Sequence, residues 1–233
     1  MSGRDDKAPV PHQGRTGSPV DAFLDKAASV APKGPRRGRL IFALDATMSR
    51  QPTWDLAQQL QGRMFDTAAI LGGLDVQLVY FRGFGECRAS SFVAGGEGLA
   101  RLMSRIQVQG GQTQIGKVLR HARDEARTAP VAVMVFVGDA MEENPDDLAA
   151  VAGELGLLGV KAFMFQEGRD TRTELVFKDL ARLTGGVHAH FDSSAPERLA
   201  ALLSAAAAYA AGGRPALEKH GGSAAGLLLT QMR

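Results

Sequence analysis

The sequence predicts an α/β protein: a doubly wound, mostly parallel six-stranded sheet with one antiparallel edge strand and helices on both faces. Three observations carry this. From Arg39 onward, short apolar runs alternate with longer stretches in which apolar residues recur every three or four positions. The run Val131–Val137 (VAVMVFV) is apolar at every position, as a strand buried on both faces at the centre of a parallel sheet must be. Glu86–Phe92 (ECRASSF) is polar and follows the short turn Gly83-Phe84-Gly85, the pattern of an antiparallel edge.

Taken in order, Leu40–Leu44 (LIFAL) reads as a buried strand ending at Asp45. Pro52–Leu71 follows as a helix with Trp54, Ala57, Leu60, Met64, Ala68 and Leu71 on one face. Asp75–Phe81 is the second strand, and Glu86–Phe92 the edge. Helices are expected over Leu99–Ile106 and Ile115–Ala126, the latter with Ile115, Val118, Leu119 and Ala122 in register. After Val131–Val137, Asn144 is placed to cap a helix that has Pro145 first and Asp146 and Asp147 in its opening turn. Val160–Phe165 and Val187–Phe191 complete the strands, with helices at about Arg172–Leu183 and Pro196–Ala210; the run Ala205–Ala208 reads as helix filler.

Residues 1–38 hold five of the ten prolines and read as a flexible basic Pro/Gly-rich leader, with one short helix expected near Val20–Val30. Residues 39–211 form the domain. Residues 212–233 read as a Gly-rich tail carrying an apolar plug, Leu227-Leu228-Leu229, that either folds back or docks a partner. Eight Lys/Arg against four Asp/Glu lie in residues 1–39, so the folded remainder is mildly acidic although the whole chain is +2. Such a domain offers no strong field to nucleic acid. Cys87 is the single cysteine, so no intramolecular disulfide forms. The longest apolar runs are too short to span a bilayer. A cytoplasmic protein without nucleic-acid or membrane partners is expected.

Doubly wound sheets bind ligands beyond the carboxyl ends of their strands, where the strand order reverses. Three segments bring oxygen ligands there: Asp45-Ala46-Thr47-Met48-Ser49, Gly110-Gly111-Gln112-Thr113 and Gly138-Asp139. Two carboxylates and three hydroxyls suit a hard cation, Mg²⁺ or Mn²⁺, and so little charge leaves it electrophilic enough to accept another acidic group. The same residue types also cap helices and satisfy loop amides.

Asp-x-Thr-x-Ser, Gly-Gly-x-Thr and strand-Gly-Asp, in that order, resemble the metal-ion-dependent adhesion site of the von Willebrand factor A family, in a bacterial stand-alone intracellular form. The resemblance implies that Thr47, Ser49 and Thr113 are hydroxyl ligands and that Asp45 and Asp139 act directly or through water. Thr47 stands where the family has serine, and Gly-Asp-Ala-Met-Glu-Glu where it often has Thr-Asp-Gly. Arg50, Trp54 and Glu142 are candidate rim residues. For Trp54 the helix periodicity offers the alternative of a core position, and Glu142 with Glu143 either adds to the metal site or sits at the start of the next helix. The family implies a scaffold or adaptor that captures a protein partner through an Asp or Glu carboxylate, possibly an AAA-type ATPase or another assembly, and no catalysis.

Other patterns compete. Leu44-Asp45-Ala46-Thr47 and Gly138-Asp139 also imitate a haloacid-dehalogenase-like Mg²⁺-dependent phosphatase, but Thr47 lies where such an enzyme has its acid. An inactive metal site in a structural subunit is a third reading. Gly111-x4-Gly116-Lys117 matches a phosphate-binding loop but continues with Val118 instead of a hydroxyl. His188 and His190 share a strand face, and half-exposed strand histidines are the simpler account of them.

Overall fold

A computed structural model describes residues 37–48, 51–60, 62–69, 73–192 and 194–232. The expected helix near Val20–Val30, like the whole leader to residue 36, lies outside the described residues.

The first half runs β1 (Gly38–Asp45), α1 (Gln51–Leu60), α2 (Gly62–Ala69), β2 (Leu74–Arg82), β3 (Glu86–Ala89), α3 (Gly96–Met103) and α4 (Ile115–Thr128). The second half is β4 (Val133–Gly138), α5 (Pro145–Leu157), β5 (Lys161–Glu167), α6 (Thr171–Thr184), β6 (Val187–Phe191), α7 (Pro196–His220) and α8 (Gly222–Gln231). Among the described residues the strands form one six-stranded sheet, ordered β3-β2-β1-β4-β5-β6. Every pairing is parallel except β2 with β3. The chain builds outward from β1 to β3, then returns to the other side of β1 with β4. The order therefore reverses between β1 and β4, which opens a crevice at their carboxyl ends. The polar edge is shorter than expected, ending at Ala89, although Ser90 N still donates to Leu78 O at 2.8 Å and Val93 bridges Val76.

Alternation along the strands splits the core in two. Leu40, Phe42, Leu44, Val133, Val135, Val137, Phe163 and Phe165 point to the face covered by α1, α2, α3, α7 and α8. Ile41, Ala43, Phe81, Met134, Phe136 and Met164 point to the face covered by α4, α5 and α6. The helix starts follow their sequence signals. Asn144 Oδ1 accepts from Asp146 N at 2.9 Å with Pro145 as the first helical residue, and Asp170 Oδ1 accepts from Thr173 N at 2.7 Å.

The C-terminal segment departs from the expected Gly-rich tail. Helix α7 runs on to His220 through a kink at Gly212 and Gly213, where Gly213 takes φ +66°, and α8 then packs back. Leu217, Ala225 and Leu228 are fully buried, so the apolar plug folds onto the domain. The amide of Gln231 pairs with both backbone groups of His188, at 2.9 Å each, and thereby covers part of the outer edge of β6. The alanine run is more than filler. Ala205, Ala206, Ala207 and Ala208 are all 0% exposed, because α7 is enclosed between the sheet, α2 and α8.

Candidate metal centre at the carboxyl ends of β1 and β4

Four loops meet above the crevice, and backbone hydrogen bonds tie them together. Ala46 N extends the β1–β2 ladder to Phe81 O at 2.9 Å, and Ala46 O accepts from Gln109 N at 3.0 Å. Gln112 N donates to Gly83 O at 3.2 Å, and the Gln114 amide donates to the carbonyls of Arg82 and Gly83. Gly83 adopts φ +59°, and a Cβ on Gly111 would lie 2.1 Å from Gly83 O. Gly111 is thus a requirement of backbone touching backbone, whereas a Cβ on Gly110 would meet nothing.

Three of the predicted ligands are buried at this end. Asp45 is 5% exposed, Thr47 7% and Thr113 8%. Asp45 closes β1 and its Oδ1 accepts from Thr47 N at 2.7 Å, a turn that starts the loop and orients the carboxylate. One step beyond the last β1–β4 pair, Leu44 with Val137, the register sets Asp45 beside Gly138, and Asp139 follows, half-buried. Thr113 begins the turn into α4. Ser49 and Arg50 lie outside the described residues. Among the described residues no three His, Cys, Asp or Glu side chains gather to hold a metal, so any site here depends on the hydroxyls. The donor set of Asp45, Thr47, Thr113 and Asp139 is all oxygen with two charges, which fits a hard divalent cation.

Trp54, a candidate for the rim, is 2% exposed and belongs to the core, edge-to-face with Tyr80 at 6.3 Å between ring centres. It lines a groove of about 560 Å³ between α1 and residues 103–108 that also takes in Met48. Beside it in the first turn of α1, the buried Thr53 hydroxyl donates to the carboxylate of Glu167 at the end of β5. Met48 and Phe84, 65% and 85% exposed, are large apolar side chains on the loops after β1 and β2.

Glu142 and Glu143 do not serve the start of α5, the helix that follows them. Glu142 Oε2 accepts from Thr113 N at 3.0 Å while Thr113 Oγ1 accepts from Glu142 N at 3.0 Å. Glu143 accepts from Ile115 N at 2.6 Å and Gly116 N at 2.8 Å. Both carboxylates therefore serve the start of α4, where Gln114 supplies no side-chain cap. The sequence signal for Glu143 is Gln114 at the N-cap of α4, a residue type that caps poorly and leaves orphan amides for a distant acid. The same contact accounts for the phosphate-loop pattern: the amide at Gly116 already has an anion, and Lys117 Nζ donates to Gly85 O and Gln114 Oε1, 2.8 Å each.

The histidine pair is engaged apart from this site. The Gln166 amide donates to Asp170 O at 2.9 Å, so its oxygen faces His188 Nε2 at 3.0 Å and Nε2 carries the proton. Burial, with His190 adding to it, lowers the His188 pKa to about 4. His190 Nδ1 meets Gly168 O at 2.9 Å and its Nε2 lies 3.4 Å from Glu174. Burial raises the Cys87 thiol, the reverse of what a nucleophilic cysteine needs. Among the described residues no helix is long and apolar enough to cross a membrane.

Neither a protein-family model nor a curated protein matches this sequence. Solved structures do match in fold. A von Willebrand factor type A protein from Catenulispora acidiphila superposes with TM-score 0.61 at 17% identity, over 74% of this chain and 43% of that one. This chain thus spans less than half the length of that protein. An aerotolerance-related membrane protein from Bacteroides fragilis gives 0.52 at 17% identity, over 69% of this chain and 96% of that one. The VWA domain of SpRpn10 gives 0.55 at 10% identity, over 68% and 89%. With the strand order, the antiparallel edge and the crevice between β1 and β4, these likenesses establish that the chain has the von Willebrand factor A fold.

Proposed function

We propose that this protein is a binding module that captures a protein partner through a divalent cation at the carboxyl ends of β1 and β4. The observation that carries the reading is the burial of Asp45, Thr47 and Thr113, three oxygen-bearing side chains on loops that meet at the point where the strand order reverses. Asp45, Thr47, Ser49, Thr113 and Asp139 would hold Mg²⁺ or Mn²⁺. When bound there, a cation would supply an electrophilic position for an Asp or Glu carboxylate of the partner. The chain's own work is orientation: the Asp45 turn fixes the Thr47 amide, and the Gly83–Gly111 contact fixes the loop that leads to Thr113. Exposed Met48 and Phe84, on the loops after β1 and β2, would offer apolar surface to the partner.

The partner is taken as a protein, an AAA-type ATPase or another assembly component, met in the cytoplasm. Binding is preferred to catalysis because two groups otherwise suited to chemistry are turned from it: His188 is paired with Gln166, and burial disfavours the Cys87 thiolate. A second reading, a structural subunit whose polar set only knits loops, is favoured by the reciprocal Thr113–Glu142 pair. Capture from native lysate in Mg²⁺ and in EDTA, with Thr113→Ala alongside, separates the two. The binding module predicts a partner held in Mg²⁺ and lost both in EDTA and in the variant; the structural subunit predicts the same capture in all three.

A further inference from the structure

We propose that Glu142 and Glu143 are positioning residues that clamp the Thr113 loop to the loop carrying Asp139, and so preset the Thr113 hydroxyl for a cation. The inference rests on the metal-dependent reading above and deepens it.

Helix α4 opens with amide donors and no local cap. Glu143 takes two of these donors, Ile115 N and Gly116 N, and Glu142 takes Thr113 N. The sequence makes room for this: Gly116 has no side chain, and a Cβ there would lie 3.1 Å from Glu143 Oε1. Negative charge at this end is also favoured by the dipole of the 14-residue helix.

The consequence for Thr113 is specific. Its amide is held by the Glu142 carboxylate, and its Oγ1 accepts from the Glu142 backbone amide. The first contact holds the Thr113 backbone and the second orients its side chain. A hydroxyl oxygen has two acceptor positions and one proton, so accepting from Glu142 N leaves one position for a cation. Glu142 lies three residues after Asp139 on the same loop, so the clamp also holds the two predicted ligands in one relative placement. A ligand held this way loses little freedom when it coordinates, and removing such supporting partners costs metal affinity about 10–100-fold elsewhere.

Two readouts on the full chain test the proposal. The first is amide exchange. Glu142→Ala should deprotect Thr113, and Glu143→Ala should deprotect Ile115 and Gly116, with the middle of α4 unchanged in both. The second is Mn²⁺ binding followed by calorimetry. Glu142→Ala should weaken it about tenfold, and Glu142→Gln, which keeps an acceptor oxygen, should restore most of the loss. A general loss of stability would instead deprotect all of α4 and leave Mn²⁺ affinity unmoved. Mn²⁺ binding that Thr113→Ala abolishes but Glu142→Ala leaves intact overturns the clamp and keeps the metal site. No Mn²⁺ binding by the unsubstituted chain overturns the metal reading, and exchange alone then decides whether the clamp exists.

Discussion

The two faces of the sheet are packed by different means. Against Ile41, Met134, Phe136 and Met164, α4, α5 and α6 bring large side chains on one stripe each, and Phe136 sits stacked on Phe81 at 6.2 Å and edge-on to Phe177 at 5.5 Å. On the other face the helix nearest the sheet centre is α7, whose contact surface is mostly alanine and which is enclosed by α2 and α8. The first face is filled by bulky side chains from its helices; at α7 the helix itself adds little volume and comes close to the sheet, while Trp54, Met64 and the strand phenylalanines supply the bulk. A Cβ on Gly38 would lie 2.1 Å from Ala210 O, which shows how near α7 comes to β1. The lesson is that a low-volume helix can occupy a core as fully as a bulky one when the layer above it supplies the remaining side chains.

That contrast can be broken from either side. The largest effect is expected for Phe136→Ala, a loss of about 3–5 kcal/mol by chemical denaturation, since truncation leaves a cavity between two other rings. Leu228→Ala should cost about 2–5 kcal/mol. A change near zero there would mean that α8 does not belong to the core. On the alanine face, enlargement is the sharper probe: Ala206→Leu should destabilise by about 1–3 kcal/mol through overpacking. Glu143→Ala should cost about 1 kcal/mol, the usual value of a lost helix cap, with Thr113→Ala nearby reducing Mn²⁺ binding far more than stability.

A further effect concerns pH. His188 titrates near 4 in the fold, below its ordinary value of 6.5, so the unfolded chain binds the extra proton between those values. Stability contributed by neutral His188 is therefore complete above about pH 6.5 and declines toward pH 4. His188→Gln should flatten that part of a plot of unfolding midpoint against pH. An unchanged slope would assign the acid limb to carboxylates.

The sequence was legible wherever a local physical rule sufficed. All six strands, the antiparallel edge, the Asn144 cap and the apolar stripe of α4 follow from hydrophobic period and capping chemistry. Asp45, Thr47, Thr113 and Asp139 were readable because each falls just past a strand or before a helix, although the chemistry assigned to them is a proposal. What failed was of another kind. Trp54 served two readings, since one periodicity places it both on the core stripe and near the rim; the structure puts it in the core. The C-terminal glycines suggested a tail, because glycine disfavours helix locally, yet Leu217 and Leu228 gain enough by burial against the sheet layer to order the segment.

By itself, then, the sequence determined the alternation of elements, the buried centre of the sheet and the oxygen-rich loops, because these depend on residues within one or two turns of each other. Only the tertiary structure decided that Glu143 would cap a helix 27 positions away, that Gln231 would cover the edge at His188, and that four alanines would sit in the core. Those outcomes depend on which backbone groups are left unpaired once the layers have packed, and that is known only when every layer is in place.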